Sequence, residues 1–214
     1  MHLFLVRHGV TAHTGHRLSG WMEGIHLTDE GRAQAEMAAA ELARTPLKAV
    51  YSSPIDRCFE TAEAIAARHR GIDVTSTEGI GEVGYGAWTN RPLKSLMRTK
   101  LWTTVQRWPS AMRFPDGETL RSVQARAVDE VETLRERHKK HAVCCVSHGD
   151  VIKLVLAHYL GVHIDLYQRI VIAPASISLL ALGEGDPRIL LVNRLPARSE
   201  DQPPGGRPVK EQTG

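Results

Sequence analysis

Two apolar runs in this 214-residue chain end the same way. Leu3-Phe4-Leu5-Val6 closes in Arg7-His8-Gly9, and Val143-Cys144-Cys145-Val146 closes in Ser147-His148-Gly149. On a continuing strand Arg7 and His8 would point to opposite faces. If the strand stops at Val6 and Gly9 permits a tight turn, both side chains converge beyond its carboxyl end, where open α/β sheets hold ligands. A surface Arg-His pair is the alternative reading of that triplet, and a capping or packing histidine is the alternative for His148. A helix opening at Asp150 would add backbone N–H donors at its positive end, a ready anion site. A third apolar run, ending Tyr51-Ser52-Ser53-Pro54, leads into a helix that carries Arg57. Alone, Arg57 reads as an ordinary surface arginine. Together, two arginines and two histidines from three strand ends make a cationic pocket whose natural guest is a phosphate or similar dianion. An imidazole held beside Arg7 is disfavoured from protonation by like-charge repulsion.

The elements that would position these groups alternate in kind. Residues 3–6, 48–53, 73–77, 142–147, 176–182 and 188–193 read as strands. Segments opening after Thr28, after Pro54, at 117–140 and at 150–161 read as helices, with Thr28 capping the first and Pro54 in the opening turn of the second. Leu120, Val123, Ala127, Val131 and Leu134 give the long helix one apolar face. Residues 7–27 read as loop, and 79–116 as loops around one short helix near 92–107. The alternation predicts a three-layer αβα sandwich on a mostly parallel mixed sheet, its last two strands antiparallel neighbours. The expected domain covers 1–195, and the polar, Pro- and Gly-rich tail 196–214 is expected to be disordered.

Composition excludes several functions. Hydrophobic content of 42% with a formal charge of +3 suits a globular protein and carries no basic block for nucleic acid. No run approaches the ~18 apolar residues of a spanning helix, so no membrane role is expected. Cys58, Cys144 and Cys145 are odd in number and two lie inside an apolar run, which favours a reducing, cytoplasmic setting. His2, His13, His16 and His26 lack metal-ligand spacing, so neither metal nor cofactor is expected.

LVRHG, SSPIDRCFETA and VSHGDV, in this order and spacing across residues 1–182, resemble the histidine phosphatase superfamily, the phosphoglycerate-mutase-like family. The resemblance implies roles. His8 would take the phosphoryl group on a ring nitrogen; Arg7, Arg57 and His148 would bind its oxygens, with Gly149 beside them. GIGEVGYGAW resembles the segment carrying the family's acid catalyst, which would be Glu82, protonating the leaving oxygen and then activating water. Asp116 and Glu118 are the alternative acids. Thr14 stands where relatives often place an asparagine that touches phosphate, and Ser19 and Gly20 where they shape the substrate side of the pocket.

Within the family, mutases carry Glu after the RHG triplet and a long insertion with paired basic residues. This chain has Val10, a shorter 83–116 stretch and scattered Arg91, Lys94, Arg98 and Lys100. These departures favour a metal-independent phosphomonoesterase acting on a small phosphorylated metabolite; the alternatives are a phosphomutase or a non-catalytic phospho-ligand binder. Trp88, Trp102 and Trp108 read either as a pocket cover or as anchors of the insertion. The apolar edge near 160–182 is expected either to pair two copies as a homodimer or to be covered internally.

Overall fold

The computed structural model describes residues 1–183 and 185–197. The expected disorder of the tail therefore falls, beyond Ala197, outside the described residues. Among the described residues six strands form one sheet: β1 (His2–Arg7), β2 (Leu47–Ser52), β3 (Val74–Ser76), β4 (Ala142–Ser147), β5 (Ile177–Ala181) and β6 (Arg188–Arg194). Their order is β3-β2-β4-β1-β5-β6. The four strands β1 to β4 run parallel, β5 is antiparallel to β1, and β6 is antiparallel to β5. The sheet is thus the mixed, mostly parallel one expected.

Helices α1 (Asp29–Leu42) and α2 (Asp56–Ala66) pack on one face, and α5 (Leu120–Arg137) and α6 (Gly149–Tyr159) on the other. This covering explains the unbroken apolar runs Leu3–Val6 of β1 and Ala142–Val146 of β4. Leu3 and Leu5 of β1 and Val143 and Cys145 of β4 join the core under α5 and α6. Val6, Cys144 and Val146 join the core under α1 and α2. Cys144 and Cys145 therefore point to opposite faces, and all three cysteines are free and buried. No described helix is long and apolar enough to cross a membrane.

Thr28 caps α1 by accepting from Gly31 N–H, as the sequence suggested. Pro54 does not start a helix; Ile55 is the N-cap, so the proline fixes the turn just before it. The single helix expected near 92–107 is two, α3 (Leu93–Leu96) and α4 (Lys100–Arg107), because Thr99 caps a new start by accepting from Trp102 N–H. Trp88 is buried, stacks on Trp102 at 6.2 Å and meets Phe114 edge-on at 5.4 Å. Trp88 and Trp102 are thus anchors of the insertion rather than a pocket cover, and Trp108 is exposed. The stretch near 160–182 is covered in part, since β5 lies between β1 and β6, while Leu160 and Val171 remain exposed.

Gly9 has no left-handed backbone angle, so the tight-turn reason for it is wrong. It is needed for close approach. A Cβ there would lie 2.3 Å from the Gly31 carbonyl oxygen, and one on Gly31 would lie 2.0 Å from that of Val10. The segment after β1 and the first turn of α1 touch backbone to backbone. Gly31→Ala is expected to destabilise the fold by about 1–3 kcal/mol, as overpacking typically does. A lower urea midpoint with unchanged slope would show this, and an unchanged midpoint would contradict it.

Candidate active site

The register of the parallel strands brings the candidate residues together. Arg7 of β1 lies opposite Ser147 of β4, and Ser52 of β2 opposite Val146. His8, His148 and Ser53 thus leave three adjacent strands at one edge of the sheet. The His8 and His148 rings stand 5.3 Å apart. Arg57, the second residue of α2, is 1% exposed, so the surface reading of this arginine is overturned.

His8 is held by its own chain. Its Nδ1 lies 2.7 Å from the Gly9 carbonyl oxygen, which can only accept, so Nδ1 carries the proton of the neutral ring. The lone pair is left on Nε2, where Arg57 Nε donates at 3.3 Å. Burial, then Arg57 and Arg7, hold the His8 pKa well below its ordinary value. The imidazole is a neutral base with one defined nucleophilic nitrogen.

The arginines are anchored but not spent. Arg7 Nη1 donates to the Ile172 carbonyl at 2.7 Å, and Arg57 Nη2 to Gly20 at 2.9 Å and to His148 Nδ1 at 3.2 Å. Arg7 Nε and Arg57 Nη1 are buried without a hydrogen-bond partner among the described residues. An unsatisfied buried donor costs about 1–3 kcal/mol, more when charged, so these two N–H groups are a standing affinity for an anion. Gly149 opens α6 against this clamp; a Cβ there would sit 3.2 Å from Arg7 Nε.

Glu82 completes the group. Its Oε2 is 3.4 Å from His148 Nδ1 and 3.7 Å from Arg57 Nη2, and its Oε1 accepts from Val83 N–H at 2.9 Å. Burial pushes its pKa up to about 7, with Asp150 adding and Arg57 and Arg7 opposing. This carboxyl can hold or release a proton near neutrality. Arg7, His8, Arg57, Glu82 and Gly149 line a cavity of about 170 Å³, whereas His148 is fully buried and is not among its lining residues.

Comparison with known proteins decides what kind of site this is. The profile of the histidine phosphatase superfamily (branch 1) matches residues 3–195. The chain belongs to the histidine phosphatase superfamily. It is 31% identical over 197 residues to phosphoserine phosphatase 1 of Hydrogenobacter thermophilus, covering 89% of this chain and 91% of that one. It is 28% identical to phosphoglycerate mutase-like protein 4 of Arabidopsis thaliana, over 71% of this chain and 67% of that one. Among solved structures, Bacillus stearothermophilus YhfR superposes with a TM-score of 0.83 at 26% identity, over 89% of this chain and 95% of that one. A mycobacterial glucosyl-3-phosphoglycerate phosphatase shares the fold, with a TM-score of 0.81 at 24% identity, over 90% and 98% of the two chains. The family, the fold and the enzyme class expected from the motifs are all borne out.

The remaining expected residues of this histidine phosphatase are placed less directly. Thr14 lines the cavity, but its hydroxyl already accepts from Thr11 N–H at 2.9 Å. Ser19 lines it too and meets His13 Nδ1 at 3.1 Å. Gly20 contributes through its backbone: its φ of +55° turns its carbonyl onto Arg57. Asp116 and Glu118 do not line the cavity. Glu118 instead pairs with Arg126 at 2.8 Å and accepts from Gly84 N–H, and those bonds hold its pKa below the ordinary value despite burial.

Arg17, Tyr85 and Lys153 line the cavity without having been singled out in the sequence, and so do His13, weighed there only as a metal ligand, and Asp150, named there only as a helix start. Asp150 and Lys153 follow the His-Gly pair at a helical spacing of three, a signal that was present. Arg126 left no such signal. From α5 it donates to the carbonyls of Gly79 and Gly81 at 2.9 Å each and of Glu82 at 2.8 Å. Trp21 Nε1 donates to the same Glu82 carbonyl at 2.6 Å, and Ser147 Oγ to Ile80 at 2.6 Å. The segment bearing Glu82 is thus fastened by side chains rather than by a sheet. Arg126→Met is expected to lower kcat on an alkyl phosphate by about 10–100-fold with KM little changed, because Glu82 loses its register against His148 and Arg57. Arg126→Lys would recover part of this. Equal kcat in native and Arg126→Met would refute the positioning role.

Proposed function

We propose that this enzyme is a metal-independent phosphomonoesterase that works through a phosphohistidine on His8 and acts on a small phosphorylated metabolite. One observation carries the reading: a neutral His8, its Nε2 lone pair fixed by the Gly9 carbonyl, faces two unspent arginine donors and a carboxyl that titrates near neutrality.

Substrate phosphate enters between Arg7, Arg57, His148 and the first turn of α6. Arg57 Nε, which reaches His8 Nε2 in the free enzyme, turns to a phosphoryl oxygen and frees the lone pair. Nε2 attacks phosphorus, the bond to the leaving oxygen breaks, and Glu82 gives that oxygen its proton. Positive charge growing on the ring is stabilised by the Gly9 carbonyl, which accepts from Nδ1–H. Water then attacks phosphorus, Glu82 takes its proton, and the phosphorus–nitrogen bond breaks to restore neutral His8 and protonated Glu82. The fixed guanidinium groups stabilise charge on the phosphoryl oxygens in both halves, which is the main requirement of phosphoryl transfer. Thr14 and Ser19 contribute to the substrate side of the wall.

Phosphatase rather than mutase is favoured by Val10 and by the scattered basic residues of the insertion, and by the relative named phosphoserine phosphatase 1. The test is hydrolysis of p-nitrophenyl phosphate with a chelator present. Turnover that persists in chelator and releases inorganic phosphate supports the reading. Dependence on added divalent metal, or transfer of the phosphoryl group to a second alcohol without release to water, overturns it.

A further inference from the structure

The cavity wall holds one feature that a phosphate pocket does not need. Asp150, next to the His148-Gly149 pair, places a carboxylate among cations, where it opposes binding of any dianion. It is not buried as a structural counterion. Its Oδ1 lies 3.2 Å from Lys153 Nζ and its Oδ2 3.3 Å from the Tyr85 hydroxyl, and its side chain is 25% exposed. A carboxylate has about four acceptor sites, so roughly two remain. Lys153 is similar. Its ammonium donates to Asp150 and, at 3.1 Å, to Gln168, which leaves one of three N–H donors free. The two form a fixed pair of opposite charges on the wall, each with hydrogen-bonding capacity left over.

We propose, resting on the phosphatase reading above, that Asp150 and Lys153 form a subsite for a leaving alcohol that carries an ammonium and a carboxylate on one carbon. The substrate class is then the phosphomonoester of a hydroxy amino acid. Such a group presents opposite charges at a separation comparable to that between Lys153 Nζ and Asp150 Oδ1. Laid against the pair in the opposite sense, its ammonium meets Asp150 and its carboxylate meets Lys153. Tyr85 holds Asp150 in place through its hydroxyl. A leaving group with a further anion in place of the ammonium meets the Asp150 carboxylate and is rejected.

The experiment compares three probes. O-phosphoserine carries both groups; 3-phosphoglycerate has a hydroxyl in place of the ammonium on the same skeleton; phosphoethanolamine keeps the ammonium and lacks the carboxylate. The native enzyme is expected to favour O-phosphoserine over 3-phosphoglycerate by at least about tenfold in kcat/KM, the weight of one charge-assisted hydrogen bond. Asp150→Asn, which keeps the shape, should bring that ratio to within about threefold of unity. Lys153→Met should lower kcat/KM on O-phosphoserine and 3-phosphoglycerate while moving phosphoethanolamine least. Asp150 also acts on Glu82, but that influence is common to the alkyl probes and cancels in the ratios. A native enzyme indifferent to the ammonium, or a ratio unmoved in Asp150→Asn, overturns the subsite. If p-nitrophenyl phosphate is still hydrolysed in a His8-dependent way, only the subsite falls; if it is not, the phosphatase reading falls with it.

Discussion

His8→Ala is expected to lower kcat by at least about 10⁴-fold on every phosphoester tested, because it removes the nitrogen that accepts the phosphoryl group in the proposed mechanism. The loss should be equal for aryl and alkyl phosphates, since a poor and a good leaving group both need the nucleophile. Arg7 and Arg57 keep their anchors on Ile172 and Gly20 in this variant, so inorganic phosphate should still bind. Calorimetric titration with phosphate then separates a folded, clamped, inactive protein from one that has lost its structure. Residual activity within tenfold of native would place the nucleophile elsewhere.

Glu82→Gln carries the second largest effect, and its dependence on leaving group and pH is specific. On an alkyl phosphate kcat should fall by about 10²–10⁴-fold, the usual worth of a positioned general acid. On p-nitrophenyl phosphate the first half-reaction should fall far less, because nitrophenolate leaves without a proton. In the native enzyme Glu82 must be protonated to act as acid, so kcat/KM on alkyl substrates should decline above about pH 7. No ascending limb from His8 is expected near neutrality, since its pKa is well below the ordinary value. The alkaline decline should be absent in Glu82→Gln. If the limb stays and the variant loses equally on both esters, Glu82 is not the acid.

The same carboxyl makes a statement about stability. Its folded pKa is raised from 4.5 to about 7, so the folded state favours the protonated form. As pH rises through the unfolded value the unfolded chain gains by ionising, and folding loses stability until about pH 7, where the loss levels off. Glu82→Gln removes that penalty. It should therefore raise the unfolding free energy above about pH 7 by on the order of 1–3 kcal/mol, seen as a higher Tm, and leave it nearly unchanged below pH 4.5. A variant both more stable and less active marks strain held at a working site.

The main frame of the fold and the centre of the site were legible because both rest on local signals. Leu3–Val6 and Val143–Val146 read as covered strands since each is apolar at every position, and the sheet does cover both faces. Two strands ending in His-Gly then place His8 and His148 together as soon as the strands are parallel neighbours. Arg57 was legible only in company; nothing in its own sequence context says that it lies 1% exposed. The insertion was harder. Its course depends on Trp88 stacking on Trp102 and on Thr99 restarting a helix, contacts between residues that no periodicity links. Arg126 was out of reach for a related reason. It lies on α5 and acts on carbonyls about 45 positions earlier in the chain, and an arginine carries no mark of which backbone it will bind. Gly9 shows the opposite failure: the right residue was picked out, with the wrong cause. Its hydrogen side chain is required by the Gly31 backbone beside it, which only the packed structure reveals.

The central claim is that the phosphoryl group rests on His8 Nε2 between its two transfers. The most direct measurement is rapid mixing of enzyme with excess p-nitrophenyl phosphate, quenching in alkali where phosphohistidine survives, and intact-mass analysis followed by peptide mapping. Glu82→Gln is the variant of choice, because it still loses nitrophenolate but cannot activate water, so the intermediate should accumulate. The account predicts a burst of nitrophenol near one equivalent and one added phosphoryl group on the peptide containing His8, absent in His8→Ala. Nitrophenol release with no phosphorylated His8 at any mixing time, or a phosphoryl group on another residue, would contradict it.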